Sequence, residues 1–230
     1  MTTLAIAGNP NCGKSALFNN LTGIRQTTGN WPGVTVERKL GSFNLSPENK
    51  VTVIDLPGIY TLDAMSLDEQ VTRSYLLSRE ADVVINVLDA ANLERNLYLT
   101  VQLLEMGVPV VLALNMMDIA QKRGISIEID LLSKKLGCPV VCIVAVTGKG
   151  INGLKQAALQ VIEDHSRGGF SLTMDAEVET AIADIRPHLP EESHTYNTYW
   201  IALKLLEGDT SVCRQQPDAE LSLRIQKWQQ

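Results

Sequence analysis

The sequence predicts an α/β fold: a doubly wound, mixed but mostly parallel six-stranded sheet, followed by a small all-α helical domain. Three observations point there. Short β-branched and aliphatic runs alternate with longer amphipathic segments along the first two thirds of the 230 residues, a pattern that places helices on both faces of a parallel sheet. Ser46-Pro47-Glu48-Asn49, between two of these runs, reads as a hairpin turn and makes one strand pair antiparallel. After Ser166-Arg167-Gly168-Gly169 the strand pattern fades, and apolar residues such as Val178, Ile182 and Ile185 recur at helical spacing.

The elements follow in order. Strands are expected at Thr3–Ala7, Arg38–Leu45, Val51–Asp55, Asp82–Leu88, Val110–Leu114 and Val140–Val144, each a short run rich in Val, Ile or Leu. Helices are expected to begin near Lys14, Ser66, Asn92, Ile129 and Ile151. Pro187, Pro190, Gly208 and Pro217 divide the last segment into about three more. The Ser166–Gly169 stretch reads as a linker, so the domains are drawn at 1–167 and 168–230.

Composition narrows the function classes. The chain is 45% hydrophobic and 20% charged, as ordinary globular proteins are. Its formal charge of −6 argues against a protein that coats nucleic acid. Four cysteines behind no secretory leader make no disulfide framework, and a reducing compartment is expected. The apolar runs Val83 to Leu88 and Val108 to Leu114 fall far short of the length that spans a bilayer, so the chain as given reads as soluble.

Chemistry is concentrated in a few loops. Gly8-Asn9-Pro10-Asn11-Cys12-Gly13-Lys14-Ser15 follows the first strand and matches G-x-x-x-x-G-K-[ST], with Ala16 next in the helix. Its glycines let backbone N–H groups and a helix N-terminus face phosphates. Lys14 adds a mobile positive charge, and the Ser15 hydroxyl is placed to bind Mg²⁺. Asp55-Leu56-Pro57-Gly58 closes a strand 41 residues after Lys14, with Asp55 suited to hold Mg²⁺ through water and the Gly58 N–H suited to a γ-phosphate. Between them Thr35 sits in the loop Gly29-Asn30-Trp31-Pro32-Gly33-Val34-Thr35. Its hydroxyl would complete the Mg²⁺ shell when a γ-phosphate is present, with Gly33 and Val34 beside the nucleotide, or it simply begins a strand. Trp31 in that loop is either an exposed reporter of its motion or a packed side chain.

A base site is expected at Asn115-Met116-Met117-Asp118. The Asp118 carboxylate can accept from both N1–H and the exocyclic amine of guanine, donors that adenine lacks, so GTP is selected over ATP. Asn115 would bridge base and phosphate loop, and Met116 lies beside the base. Ala145-Val146-Thr147-Gly148 could offer a backbone N–H to the guanine O6.

In these motifs the chain resembles the TRAFAC-type small GTPases, with their Ras-like P-loop fold, and more narrowly the N-terminal cytosolic part of the FeoB ferrous-iron transporters. The narrower likeness rests on residues 8–15, on Gly29-Asn30-Trp31-Pro32-Gly33-Val34-Thr35-Val36-Glu37-Arg38-Lys39, on Asp55-Leu56-Pro57-Gly58-Ile59-Tyr60, on Ser66-Leu67-Asp68-Glu69-Gln70 and on Asn92-Leu93-Glu94-Arg95-Asn96-Leu97-Tyr98-Leu99. It covers residues 1 to about 160 by motif; the helical tail fits by position and type. The resemblance implies a GTP- and GDP-binding regulatory domain at the cytoplasmic face of the bacterial inner membrane. Its partner would be a membrane-transport domain of the same full-length chain. Self-association is allowed, nucleic acid is not expected, and the helical domain would favour the GDP state.

Two departures bear on rate and affinity. Met116 stands where many GTPases carry Lys, removing a cation over the base. Ile59 stands where Ras-type enzymes place a water-orienting glutamine, so either another group positions the water or hydrolysis is intrinsically slow, and slow hydrolysis is expected. Asn11 matches the asparagine with which potassium-activated relatives hold K⁺ beside the phosphates; a K⁺ there would act with Lys14, Thr35 and Gly58 in catalysis. Asn11 capping the loop is the plainer reading. The rival function is a soluble RNA- or ribosome-associated GTPase of the Era or tRNA-modifying type. That class usually carries a basic RNA-binding domain, whereas ten of the 26 acidic residues but five of the 20 basic ones lie beyond residue 167. A binding switch with negligible hydrolysis is a third. Cys138 and Cys142 read as buried small hydrophobes and His165, His188 and His194 as solvated helix-surface residues, none of them metal ligands.

Overall fold

The computed structural model describes residues 2–23, 26–44, 50–164, 174–190, 197–213 and 216–229. The hairpin turn at 46–49, the 166–169 linker with the boundary drawn beside it, His165 and His194 lie outside the described residues. The chain divides into two compact units, one of residues 1–104 and 108–170, the other of 105–107 and 171–230.

The first unit is built on one sheet of seven strands: β1 (Thr2–Gly8), β2 (Gln26–Asn30), β3 (Glu37–Asn44), β4 (Lys50–Asp55), β5 (Val83–Asp89), β6 (Val110–Asn115) and β7 (Val140–Cys142). Their order is β2-β3-β4-β1-β5-β6-β7. The pairs around β1, and those of β5 with β6 and β6 with β7, are parallel; β2–β3 and β3–β4 are antiparallel. The strand count corrects the expected six. β2 is a run of five exposed, mostly polar residues, Gln-Thr-Thr-Gly-Asn, and its order comes from pairing with β3 at the sheet edge, not from a buried face. β1, β5 and β6 are buried nearly throughout, as strands covered on both faces are.

Helices α1 (Lys14–Thr22) and α6 (Ile151–Glu163) cover one face, where Leu17, Phe18, Leu154 and Ala158 join Leu4, Ile6, Ile85 and Val111 in a single core. α2 (Leu67–Ser78) begins with a reciprocal cap. Ser66 Oγ accepts from the Glu69 N–H while Glu69 Oε2 accepts from the Ser66 N–H. α3 (Leu93–Glu105) is tied to β5 by Asn86 Nδ2 donating to Thr100 Oγ1 at 2.7 Å. The six-residue α4 (Met117–Lys122) was not expected, being too short to show periodicity. α5 (Ile129–Leu136) leads into β7.

The second unit contains α7 (Ala176–Ile185), α8 (Thr198–Leu206) and α9 (Ala219–Trp228) around Ile182, Ile185, Trp200, Ile201, Leu205, Leu221 and Ile225. Asp184 joins α7 to α9: one carboxylate oxygen accepts from Arg224 at 3.0 Å and the other from Trp228 Nε1 at 2.8 Å. His188 Nδ1 lies 3.6 Å from Glu220 Oε1. Among the described residues no helix is long and apolar enough to cross a membrane.

Candidate functional site

Parallel strands deliver their C-terminal ends to one edge of the sheet, and ligands of open α/β sheets bind outside that edge. β1 ends at Gly8, β4 at Asp55 and β6 at Asn115, so three motifs far apart in sequence arrive together.

The 8–15 loop owes its shape to unusual backbone angles. Gly13 opens α1 in the left-handed region, with φ at 99°, and a Cβ there would collide with Asn115 Nδ2. Asn11 is also left-handed, with φ at 65°, and exposed, as is Pro10. Asn9 and Cys12 point inward; Asn9 Nδ2 has no partner among the described residues, and burial pushes the Cys12 thiol up to about 11. Ser15 is exposed and Ala16 half-buried.

Lys14 Nζ donates to Asp55 Oδ1 at 2.7 Å and to the Leu56 carbonyl at 2.6 Å. Both charged side chains are nearly out of solvent. With Ser15, Pro57 and Gly58 they line a cavity of about 250 Å³, whose further walls are Val36, Glu37, Lys39 and Asp68. The Ile59 N–H donates to the Gly8 carbonyl, and Gly58 packs on Pro10. The Ile59 side chain is buried and aims no polar group at the cavity.

Asn115 is the clasp on the other side. Its Nδ2 donates to the Cys12 carbonyl at 3.0 Å and its Oδ1 accepts from the Ala145 N–H at 3.1 Å. Met116 turns left-handed, with φ at 60°, so that α4 starts at once and carries Asp118, exposed, in its first turn. Ala145 is fully buried, while the neighbouring Val146 is exposed. Asn20 was not singled out by any motif. Its Nδ2 donates to the Ala145 carbonyl at 2.6 Å and fixes that loop to α1. A polar residue on the second turn of a helix was the only hint available.

Thr35 is not brought to this cavity. With Gly33 it is exposed in the bend ahead of β3, and Val36 and Glu37 stand at the wall instead. Trp31 is packed, its ring edge-on to Tyr75 at 5.3 Å with Arg38 over it at 4.8 Å. Cys138 is buried, its thiol pushed up to about 12, but Cys142 is exposed at the end of the edge strand β7 and corrects the expectation that both are buried.

A strand–loop–helix phosphate cradle, a carboxylate at the neighbouring strand end and an Asn clasp that ties the cradle to the Ala145 loop, on this strand order, define a P-loop GTPase of the Ras-like class. The family model for ferrous iron transport protein B matches residues 2–158, and that for the FeoB cytosolic helical domain matches residues 175–230. The chain therefore belongs to the FeoB family. It is 49% identical over 212 residues to the Fe(2+) transporter FeoB of Escherichia coli (strain K12), covering 90% of this chain and 27% of that protein. The chain spans about a quarter of the length of the curated relatives it matches. Among solved structures it is similar to a mutant of S. thermophilus NFeoB bound to mGDP, with a TM-score of 0.87 and 41% identity over 100% of this chain and 88% of that one. It is likewise similar to the cytosolic domain of T. maritima FeoB in its GMPPNP form, at a TM-score of 0.83 and 36% identity over 99% and 92%. The helical-domain match sets aside the Era-type alternative.

Proposed function

We propose that this chain is the GTP-binding and slowly GTP-hydrolysing regulatory part of a bacterial ferrous-iron transporter, at the cytoplasmic face of the inner membrane and continuous with a membrane-transport domain. The observation that carries the reading is the Asn115 clasp, which ties the phosphate loop at Cys12 to the Ala145 loop at the strand end that leads into Asp118. Nucleotide-bound relatives support it. The nucleotide contacts are proposed for residues 8–16, Gly33, Val34, Thr35, Asp55, Gly58, Asn115, Met116, Asp118, Ala145 and Val146.

Lys14 leaves Asp55 for the β- and γ-phosphates when nucleotide enters, and Asp55 is then free for metal. Ser15, Asp55 and Thr35 form an all-oxygen set of the kind Mg²⁺ prefers, and the Asn11 side-chain carbonyl is a neutral oxygen suited to K⁺. Bound, these cations offset the charge that develops on the transferring phosphoryl group. Thr35 reaches the site only after its loop closes, and the Gly58 N–H meets the γ-phosphate. Ile59 leaves the attacking water without a side-chain partner, which is the reason for a slow rate.

Phosphate release from GTP and ATP, with Mg²⁺ and with KCl against NaCl at equal ionic strength, tests this reading. GTP-selective turnover that rises in K⁺, with the K⁺ response lost in Asn11→Ala, is expected. ATP turnover, or equal rates in both salts, would overturn the base site or the cation role respectively.

A further inference from the structure

Thr35 is held away from the phosphate cavity by the way its own loop closes. The Trp31 N–H donates to the Val36 carbonyl at 2.9 Å and the Val34 N–H to the Trp31 carbonyl at 3.2 Å, so residues 31–36 close on themselves with Thr35 exposed. Val36, its neighbour, stands at the cavity wall instead. Successive residues entering a strand point to opposite sides. Bringing Thr35 to the cavity therefore means turning the chain over at this point, which opens the hydrogen bond between Trp31 and Val36.

One end of this closed loop is fastened to α2. The buried Trp31 ring meets Tyr75 edge-on at 5.3 Å, with the Arg38 guanidinium 4.8 Å over it. Beside that contact loop and helix stand apart: an open cavity of about 370 Å³ has Pro32 and Val34 in one wall and Val71 and Ser74 in the other. The ring pair therefore carries the hold of α2 on the loop. That hold is opposed from within, because Trp31 Nε1, the Tyr75 hydroxyl and Arg38 Nε are shut off from solvent with no hydrogen-bond partner among the described residues. Each buried donor without an acceptor is costly and regains water when the rings part. Favourable ring packing set against stranded donors makes a fastening that holds and can still open.

We propose that Trp31 and Tyr75 are positioning residues that form a latch on Thr35: fastened, it keeps Thr35 out of the phosphate cavity, and its release lets Thr35 reach the metal of a bound triphosphate. The inference rests on the role proposed above for Thr35 at Mg²⁺. Neither ring lines the phosphate cavity, so both act through the place of Thr35 and not on the nucleotide directly. A nucleoside diphosphate offers no γ-phosphate for the turned loop to meet, and binds with the latch fastened. The latch thus weakens binding of the triphosphate alone, since only that ligand has to open it.

Calorimetric titrations with GDP and with the non-hydrolysable triphosphate GMPPNP, both with Mg²⁺, test the latch through the ratio of the two dissociation constants. Trp31→Leu and Tyr75→Leu remove the ring contact, and each is expected to tighten GMPPNP binding about fivefold relative to GDP, as loss of one aromatic pair implies. Tyr75→Phe keeps the ring and removes a stranded hydroxyl, which strengthens the latch. It is expected to shift the ratio the other way, by roughly threefold. A merely structural loss would weaken both nucleotides together and leave the ratio still. In a Thr35→Ala background the ratio is expected to stop responding to either change at Tyr75. An unmoved ratio in the single ring variants, shifts of the same direction in Tyr75→Leu and Tyr75→Phe, or full shifts persisting without Thr35 would each overturn the latch. Thr35→Ala alone reads the assignment underneath. If it weakens GMPPNP and the ring variants change nothing, the latch fails by itself; if it leaves GMPPNP binding unchanged, the metal role of Thr35 falls and the latch with it.

Discussion

Lys14 and Asp55 are each other's counterions: Nζ lies 2.7 Å from Oδ1, with both side chains nearly out of solvent. The cation suited to phosphate and the carboxylate suited to metal thus neutralise one another across 41 residues of sequence. Breaking a buried pair leaves the surviving charge without compensation, which costs about 3 kcal/mol or more, whereas removing both charges costs far less. Lys14→Met and Asp55→Asn are each expected to lower unfolding stability by that order, and the double variant to recover most of it. Urea titrations of the four proteins without nucleotide measure the coupling; additive losses would show that the pair carries no such energy.

Asn115 holds two buried backbone groups at once, the Cys12 carbonyl and the Ala145 N–H. Asn115→Ala strands both, and each unsatisfied group costs about 1–3 kcal/mol. A loss of roughly 2–4 kcal/mol in stability is expected, together with weaker GDP binding, since the phosphate loop and the Ala145 loop are no longer fixed to each other. Chemical denaturation and calorimetric titration with GDP check both halves.

Sequence carries such a site unevenly. The 8–15 loop, Asp55–Gly58 and Asn115–Asp118 are legible because phosphate and base chemistry demand particular residue types at short fixed spacing beside a strand end. The Lys14–Asp55 and Asn115–Ala145 contacts are not, since pairings across a sheet leave no periodic trace. β2 escaped because Gln26–Asn30 has no buried face, and α4 because six residues are fewer than two helical turns. The packing of Trp31 could not be decided in advance, because its partner Tyr75 belongs to a helix 44 residues on. Asn20 lacked even a motif to draw attention to it.

The Cys12 thiol supplies a pH dependence of known sign. Burial pushes it from the model-peptide value of 9.0 up to about 11. An acid whose pKa is raised in the folded chain keeps its proton there longer than in the unfolded chain. Its stabilising effect is therefore full below pH 9 and is lost as pH climbs toward 11. Two units correspond to roughly 2–3 kcal/mol. Unfolding free energies of wild type and Cys12→Ala between pH 8 and 11 are expected to converge as pH rises; a constant difference would contradict the burial of the thiol.

Gly13 and Gly33 both sit at positive φ, 99° and 77°, yet their substitution should cost different amounts. At Gly33 an added Cβ meets nothing within 4 Å, so Gly33→Ala bears only the strain of the backbone, about 1–2 kcal/mol. At Gly13 the same atom collides with Asn115 Nδ2, and Asn115 is already committed on both sides. Gly13→Ala must add to the backbone strain the loss of the clasp, for a total of roughly 3–5 kcal/mol. In Asn115→Ala the clasp is absent from the start, and the obstructing amide has gone with it. The cost of Gly13→Ala in that background is expected to fall to the value seen at Gly33. A thermal or urea series on the two glycine variants, with and without Asn115→Ala, separates strain from collision. An undiminished cost in the double variant would place the whole effect in the backbone.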